Sequence, residues 1–264
     1  MRSTFAFITA ALLCAGAANA APILSVSFDN APLGTAPVPY AGYAGDLIPG
    51  GTTINTSDPT GPGDPDLPSA GVIADVATVA AGFAGTAPSG RCLQLAGSNG
   101  YYIALPADMN DYRVSVKVAF TQYPGATAEY GITNVISHIP GLAFNENWEL
   151  RGIGQFGTPP NCMQLMYDTA PGGGDNSINL GGLVPATNRW YDMAVEYVAA
   201  TDVLKAVIDG ATYTITPGFG SDGLRRLSIG YWASDANTNR DVVGLIDDFV
   251  VDDLSAGVPD WTLY

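Results

Sequence analysis

The chain reads as an all-β protein, an antiparallel β-sandwich with little helix, and three stretches say so. Residues 112–120 alternate apolar and polar side chains almost without fault, and residues 191–197 repeat the pattern behind Trp190. Residues 203–208 and 211–215 are two further β runs joined by Asp209-Gly210. An alternation of period two belongs to a strand with one face buried, and a helix has no use for it. It predicts Tyr112, Val114, Val116, Val118 and Phe120 inward, with Arg113, Ser115 and Lys117 in water. Likewise Tyr191, Met193, Val195 and Tyr197 point inward, and Asp192 and Glu196 outward. The Asp-Gly pair predicts a type I′ hairpin, because both central residues of that turn need positive φ.

In chain order, residues 1–20 read as an export signal. Arg2 supplies the positive start, residues 5–18 the apolar stretch, and Ala18-Asn19-Ala20 a small-x-small cleavage site that leaves Ala21 first. Cys14 follows Leu13, where lipoprotein processing wants a small residue. No later run reaches the ~18 apolar residues of a membrane span, so no transmembrane anchor is expected. The protein is expected to be secreted or periplasmic, with residues 21–264 as one domain. The first strand falls at 23–28. Residues 31–69 form a long loop rich in proline and glycine, with Asp58, Asp64 and Asp66 near its end. Residues 72–81 suit a helix by their alanines and a strand by their valines. Further strands are expected at 91–95, 101–105, 135–137, 148–153, 163–167, 227–232 and 244–252. Many short strands between Gly- and Pro-rich turns indicate a sandwich or barrel. Residues 169–182, with Gly172-Gly173-Gly174-Asp175, read as a surface loop lacking the Lys-Ser/Thr of a phosphate loop.

Charge narrows the partners. The formal charge is −15, and loss of Arg2 with the signal makes it −16. Phosphate backbones and anionic lipid need clustered Lys and Arg, so neither nucleic acid nor a membrane surface is an expected partner. Solubility and cation binding are favoured. Cys92 and Cys162 remain after cleavage. In an oxidising compartment they are expected to pair, closing a loop of about 70 residues worth roughly 3–5 kcal/mol. The alternative is two buried thiols.

Several ordered landmarks resemble a known family. Val26-Ser27-Phe28-Asp29-Asn30 resembles the first strand and turn of the laminin-G-like, concanavalin A-type jelly rolls of secreted bacterial proteins. Residues 89–95 followed by 101–106 resemble that family's second hairpin. Residues 190–197 resemble its tryptophan-led central strand, and Val207-Ile208-Asp209-Gly210 the next hairpin tip. Residues 227–230 and 244–249 resemble its last two strands. The first-strand Phe-Asp and closing Ile-Asp-Asp also occur in galactose-binding-like modules, and the 31–69 insertion departs from both patterns. The resemblance implies a jelly roll. Such folds host lectins, adhesins, hydrolases and passive modules, so it does not imply a reaction.

It does imply that the first and last strands are neighbours. Asp29 or Asn30 would then meet Asp247 or Asp248, and a structural Ca²⁺ bound by these oxygens would tie the chain ends together. Two adjacent acids in an apolar strand need some partner. The other arrangement has one aspartate in water and its neighbour bonded to backbone amides. Asp58, Asp64 and Asp66 form a second candidate calcium site, although the prolines around them spoil the regular geometry of a calcium loop.

Catalytic motifs are sparse. His138 is the one histidine, no Gly-x-Ser-x-Gly elbow is present, and a multi-histidine zinc site is impossible. Glu146 and Glu149 are three apart and diverge on a strand, as do the adjacent Asp247 and Asp248. Asp248 and Asp252 can share a face. Trp148-Glu149-Leu150-Arg151 is similar to a polysaccharide-lyase strand, but the Gln-x-His strand those enzymes also use is missing. Tyr40 and Tyr43 in the long loop and Trp232 before a polar turn are the candidates for stacking on a sugar; the alternative places them in the core. These observations predict a secreted, non-catalytic module binding a glycan or matrix ligand. A structural or adhesive envelope protein and a polysaccharide-cleaving enzyme are the alternatives.

Overall fold

A computed structural model describes residues 21–57, 67, 69–96, 99–121, 134–138, 146–152, 162–169, 176–218, 223–230 and 243–255. The expected signal segment and Trp232, Asp58, Asp64 and Asp66 lie outside the described residues. The strands are β1 (Ala21–Val26), β2 (Gly34–Thr35), β3 (Thr53–Asn55), β4 (Val72–Asp75), β5 (Arg91–Ala96), β6 (Gly100–Met109), β7 (Asp111–Phe120) and β8 (Asn134–His138). They continue with β9 (Glu146–Gly152), β10 (Met163–Tyr167), β11 (Asn176–Asn179), β12 (Trp190–Val198), β13 (Val203–Ile208), β14 (Ala211–Ile215), β15 (Leu224–Gly230) and β16 (Val243–Asp253). A short helix, α1 (Val76–Val79), follows β4, and a 3-10 turn, Ala199–Thr201, follows β12.

Two sheets form. The first runs β14-β13-β12-β7-β16-β5-β4-β2, with β1 also paired to β16; the second runs β11-β10-β9-β8-β15-β6-β3. All pairings among these strands are antiparallel. One apolar core joins the sheets. It takes Tyr112, Val114, Val116, Val118 and Phe120 from β7 and Tyr191, Met193, Val195 and Tyr197 from β12, the inward sets expected from period two. The second sheet adds Tyr101, Ile103, Trp148, Leu150, Leu165, Leu227 and Ile229. The architecture is the antiparallel sandwich that the alternation predicted.

The β13–β14 turn also forms as expected, with φ of 48° at Asp209 and 82° at Gly210. Trp190 is buried outside the shared core. It points to the other side of the first sheet, into a small cluster with Val76, Ala80, Cys92, Ala119 and Leu245. The ambiguous 72–81 segment is both things in turn: β4, then α1, divided at Asp75, whose Oδ1 accepts from the amide of Ala77 at 2.9 Å.

Three expectations are corrected. Residues 31–69 do not form a structureless loop. They place β2 on the first sheet and β3 on the second, so the segment crosses the sandwich edge. Asp46 fixes its middle. Its Oδ1 accepts from the Ser27 amide (3.0 Å), and its Oδ2 from the Tyr40 hydroxyl (2.8 Å) and the Tyr43 amide (2.9 Å). Tyr40 is thereby buried, edge-on to Phe28, Tyr43 and Tyr101. Residues 169–182 are likewise not all loop, since β11 pairs with β10 there. Finally, Cys92 and Cys162 are not bridged; each is a buried thiol. Cys92 faces away from the shared core on the first sheet, and Cys162 leads into β10 of the second. With Cys92 turned away from the space between the sheets, the two thiols are not placed to meet.

Candidate functional site

The sequence singled out the chain ends, and the structure brings three of the four residues named there together. Along one side of β16, Val243–Ile246 pair with β5, and Phe249–Asp253 pair with β1. The strand therefore forks at Asp247 and Asp248, opposite a bulge in its pairing with β7, and Asp248 takes a φ of 47°. Just beyond β1, the Oδ1 of Asp29 accepts from the amide of Arg91 at 3.2 Å, while the guanidinium of Arg91 donates to the Ala31 carbonyl. Gly90 sits at φ +72°, where a Cβ would collide with the Asp29 carboxylate. Asn30 turns elsewhere, its amide donating to the Ala44 carbonyl at 2.5 Å.

Asp247 is 1% exposed. Its Oδ1 accepts from the Asp248 amide at 2.7 Å, and its buried Oδ2 has no partner. Burial pushes this carboxyl up to about 9. The Asp248 amide and Lys117 work against the shift, and Asp248 and Asp29 add to it. Asp248 is half-buried and also raised, by burial first, against the pull of Lys117. The Cys92 thiol is pushed up to about 12 by burial and then by Asp247 and Asp75, so it stays protonated and unreactive at neutral pH. The pair thus takes the arrangement of one aspartate bonded to a backbone amide and its neighbour partly in water. Among the described residues, no group of three or more His, Cys, Asp or Glu side chains is spaced to hold a metal ion.

A second site was not anticipated. Among the described residues, the central strands of the second sheet are buried on both faces, but the chemistry of the two faces differs. The inner face is apolar. The outer face carries Tyr102, Glu149, Arg151, Gln164, Arg226 and Ser228, all under a tenth exposed. Their register puts them on adjacent strands: Ser228 is opposite Tyr102, and Arg151 opposite Gln164, which is opposite Asn179. Arg151 donates to Glu149 at 2.9 Å, Gln164 to Asn179 at 2.6 Å, and the Arg226 guanidinium lies 5.4 Å from the Tyr102 ring centre. The face opens toward β11, where Ser177 and Asn179 are exposed. Backbone register also sets His138 beside Arg226. Buried ionic groups are tolerated only when paired and hydrogen-bonded, a condition the Arg151–Glu149 pair meets.

The aromatic candidates fare differently. Tyr40 is 3% exposed and offers no face to a ligand, and burial followed by its bond to Asp46 raises its hydroxyl. Tyr43 is half-buried against Tyr40. The one available signal for the missed face was a charge or amide at an alternate position of an apolar strand, as in Met163-Gln164-Leu165 and Arg226-Leu227-Ser228.

No protein-family model matches the chain, and no curated protein matches it. Solved structures do. Domain 4 of AbnA, a GH43 extracellular arabinanase from Geobacillus stearothermophilus in complex with arabinotriose, matches at 17% identity and a TM-score of 0.50, over 89% of this chain and 93% of that one. The binding domain of Paraclostridial Mosquitocidal Protein 1 matches at 10% identity and 0.53, over 90% and 50%. The receptor-binding domain of botulinum neurotoxin type G matches at 11% and 0.51, over 88% and 47%. The chain spans about half the length of these two toxin domains. At such identities the likeness establishes the fold alone, a β-sandwich.

Proposed function

We propose that the chain is an exported, non-catalytic module that binds a saccharide on the outer face of its second sheet. The observation that carries this reading is the open end of that face, where Ser177 and Asn179 of β11 are exposed and are backed by Gln164, which bonds Asn179, and by Arg151 beside it. Such a surface offers oriented donors and acceptors to hydroxyl groups, and rigid placement lowers the cost of binding. The likeness to the arabinanase domain over nearly the whole of both chains supports it. The laminin-G-like assignment within the jelly rolls belongs to the same proposal, supported by the order of the strand motifs. Export rests on the N-terminal signal pattern. A structural Ca²⁺ at the fork is part of the same proposal, on the unpartnered Asp247 oxygen and the influence of Asp248 and Asp29 on that carboxyl; since among the described residues no three carboxylates are spaced for a metal there, they would have to draw closer to hold it.

A glycan panel tests the reading. Saturable binding that weakens at least tenfold in Gln164→Ala/Asn179→Ala supports it; absence of binding across neutral and acidic glycans overturns it. The polysaccharide-cleaving alternative draws on the register position of His138 beside Arg226, one strand from Glu149. Release of reducing ends or of unsaturated uronate products would favour that alternative.

A further inference from the structure

The outer face of the first sheet carries a groove that the proposed site does not use. It encloses about 520 Å³ and includes Ser115, Ala194, Val207 and Val250 in its lining. Register explains its form. Val207 is opposite Ala194, Ala194 opposite Ser115, and Ser115 opposite Val250, so four strands place short side chains in one row at right angles to their own direction. Ser25 of β1 continues the row past Val250. Two residues away on either side, the side chains are long and charged. On one flank Lys205, Glu196, Arg113 and Asp252 face one another across β13, β12, β7 and β16. Glu196 is ion-paired with Arg113 and with Lys205 (3.5 Å). On the other flank Lys117 is ion-paired with Asp192, and Asp248 lines the same end.

From this we infer that the groove is a second binding site, for a neutral oligosaccharide chain lying across the strands. The dimensions suit a single polymer strand. The three spacings between the four lining strands span roughly 14 Å, and the flanks, four residues apart along each strand, stand roughly 13 Å from one another. The charge pattern selects the ligand class. One flank alternates in sign and sums to zero, and the other is biased toward acid, so a polyanion meets no net attraction from a chain that already carries −15. A neutral chain with many hydroxyls finds charge-assisted donors and acceptors in alternation on both sides. A peptide is disfavoured because the backbone groups under the groove are already paired within the sheet, which leaves no edge for it to join. The site stands on the opposite side of the sandwich from the proposed saccharide face and does not depend on it.

The test uses the full chain and three neutral hexaoses (cello-, manno- and arabinohexaose), with hexagalacturonate as the anionic probe. Affinities are measured by calorimetry for wild type, Ser115→Trp, Lys117→Met/Asp192→Asn and Gln164→Ala/Asn179→Ala. Ser115→Trp fills the groove floor, and the double variant removes one flank while leaving the floor intact. The inference expects at least one neutral hexaose to lose tenfold or more in affinity in both groove variants, with amide resonances of Ser115, Ala194, Val207 and Val250 shifting on titration. Binding that survives both groove variants but is lost in Gln164→Ala/Asn179→Ala overturns the groove and leaves the other face standing. Binding of hexagalacturonate alone, or of no probe, also overturns the groove.

Discussion

Asp247→Asn in chelator is the sharpest perturbation the structure offers. The folded carboxyl is buried with one orphan oxygen and raised to about 9, against 3.8 for the free group. Between those values the folded state holds a proton that the unfolded state has released. Stability from this group is therefore fully present below about pH 4 and is lost as pH climbs toward 9. The slope is at most about 1.4 kcal/mol per pH unit, so by pH 7 the cost is roughly 4 kcal/mol. Asparagine keeps the oxygen that accepts from the Asp248 amide and has nothing to titrate. The variant should melt on the order of 10 °C above wild type at pH 7 and match it near pH 4, given the usual relation between ΔG and Tm for a domain of this size. Thermal melts at half-unit steps from pH 4 to 9, in EDTA, read both quantities. A wild-type curve that is flat over this range, or an Asn variant that melts lower at pH 7, refutes the reasoning.

Four other outcomes follow from the same geometry. Adding Ca²⁺ after chelation should raise the Tm of wild type and leave that of Asp247→Asn unmoved, because a ligand bound to the native state stabilises by mass action. Asp46→Ala removes three well-made bonds, one of them to a core hydroxyl, and should cost about 3–5 kcal/mol in urea unfolding. Gly90→Ala adds both a strained φ and a collision with Asp29, so a loss of at least about 2 kcal/mol is expected in the same assay. Cys92 and Cys162 should both be alkylated in denaturant without reductant and both be protected in the native state, as mass spectrometry will report.

Much of the fold was legible because a half-buried strand writes its burial into alternate residues. The inward sets of β7 and β12 were readable down to the single side chain. So was the turn at Asp209-Gly210, since few residues tolerate its φ values. Short edge strands leave no such trace. β2 and β3 pair two or three residues within a Pro- and Gly-rich stretch, and only the remote partners β4 and β6 make them strands. Tyr40 looked exposed because its neighbours are loop formers, but its burial is set by Asp46, which sequence does not connect to Ser27. The nearness of Asp29 to Asp247 and Asp248 was an expectation from the jelly-roll resemblance, whereas the fork at which they sit needed the pairing of β16 with both β1 and β5. The polar outer face of the second sheet was hidden for a related reason. Each strand contributes one or two polar residues, and only the lateral register assembles them into a site.

A crystal structure with the tightest-binding oligosaccharide from the panel tests the proposed function most directly. Ordered sugar in contact with Ser177 and Asn179, at the open end of the second sheet's outer face, is the predicted result. Sugar bound only at the loops around Tyr40 and Tyr43, or a second sheet whose outer face stays empty at saturating ligand, would contradict it.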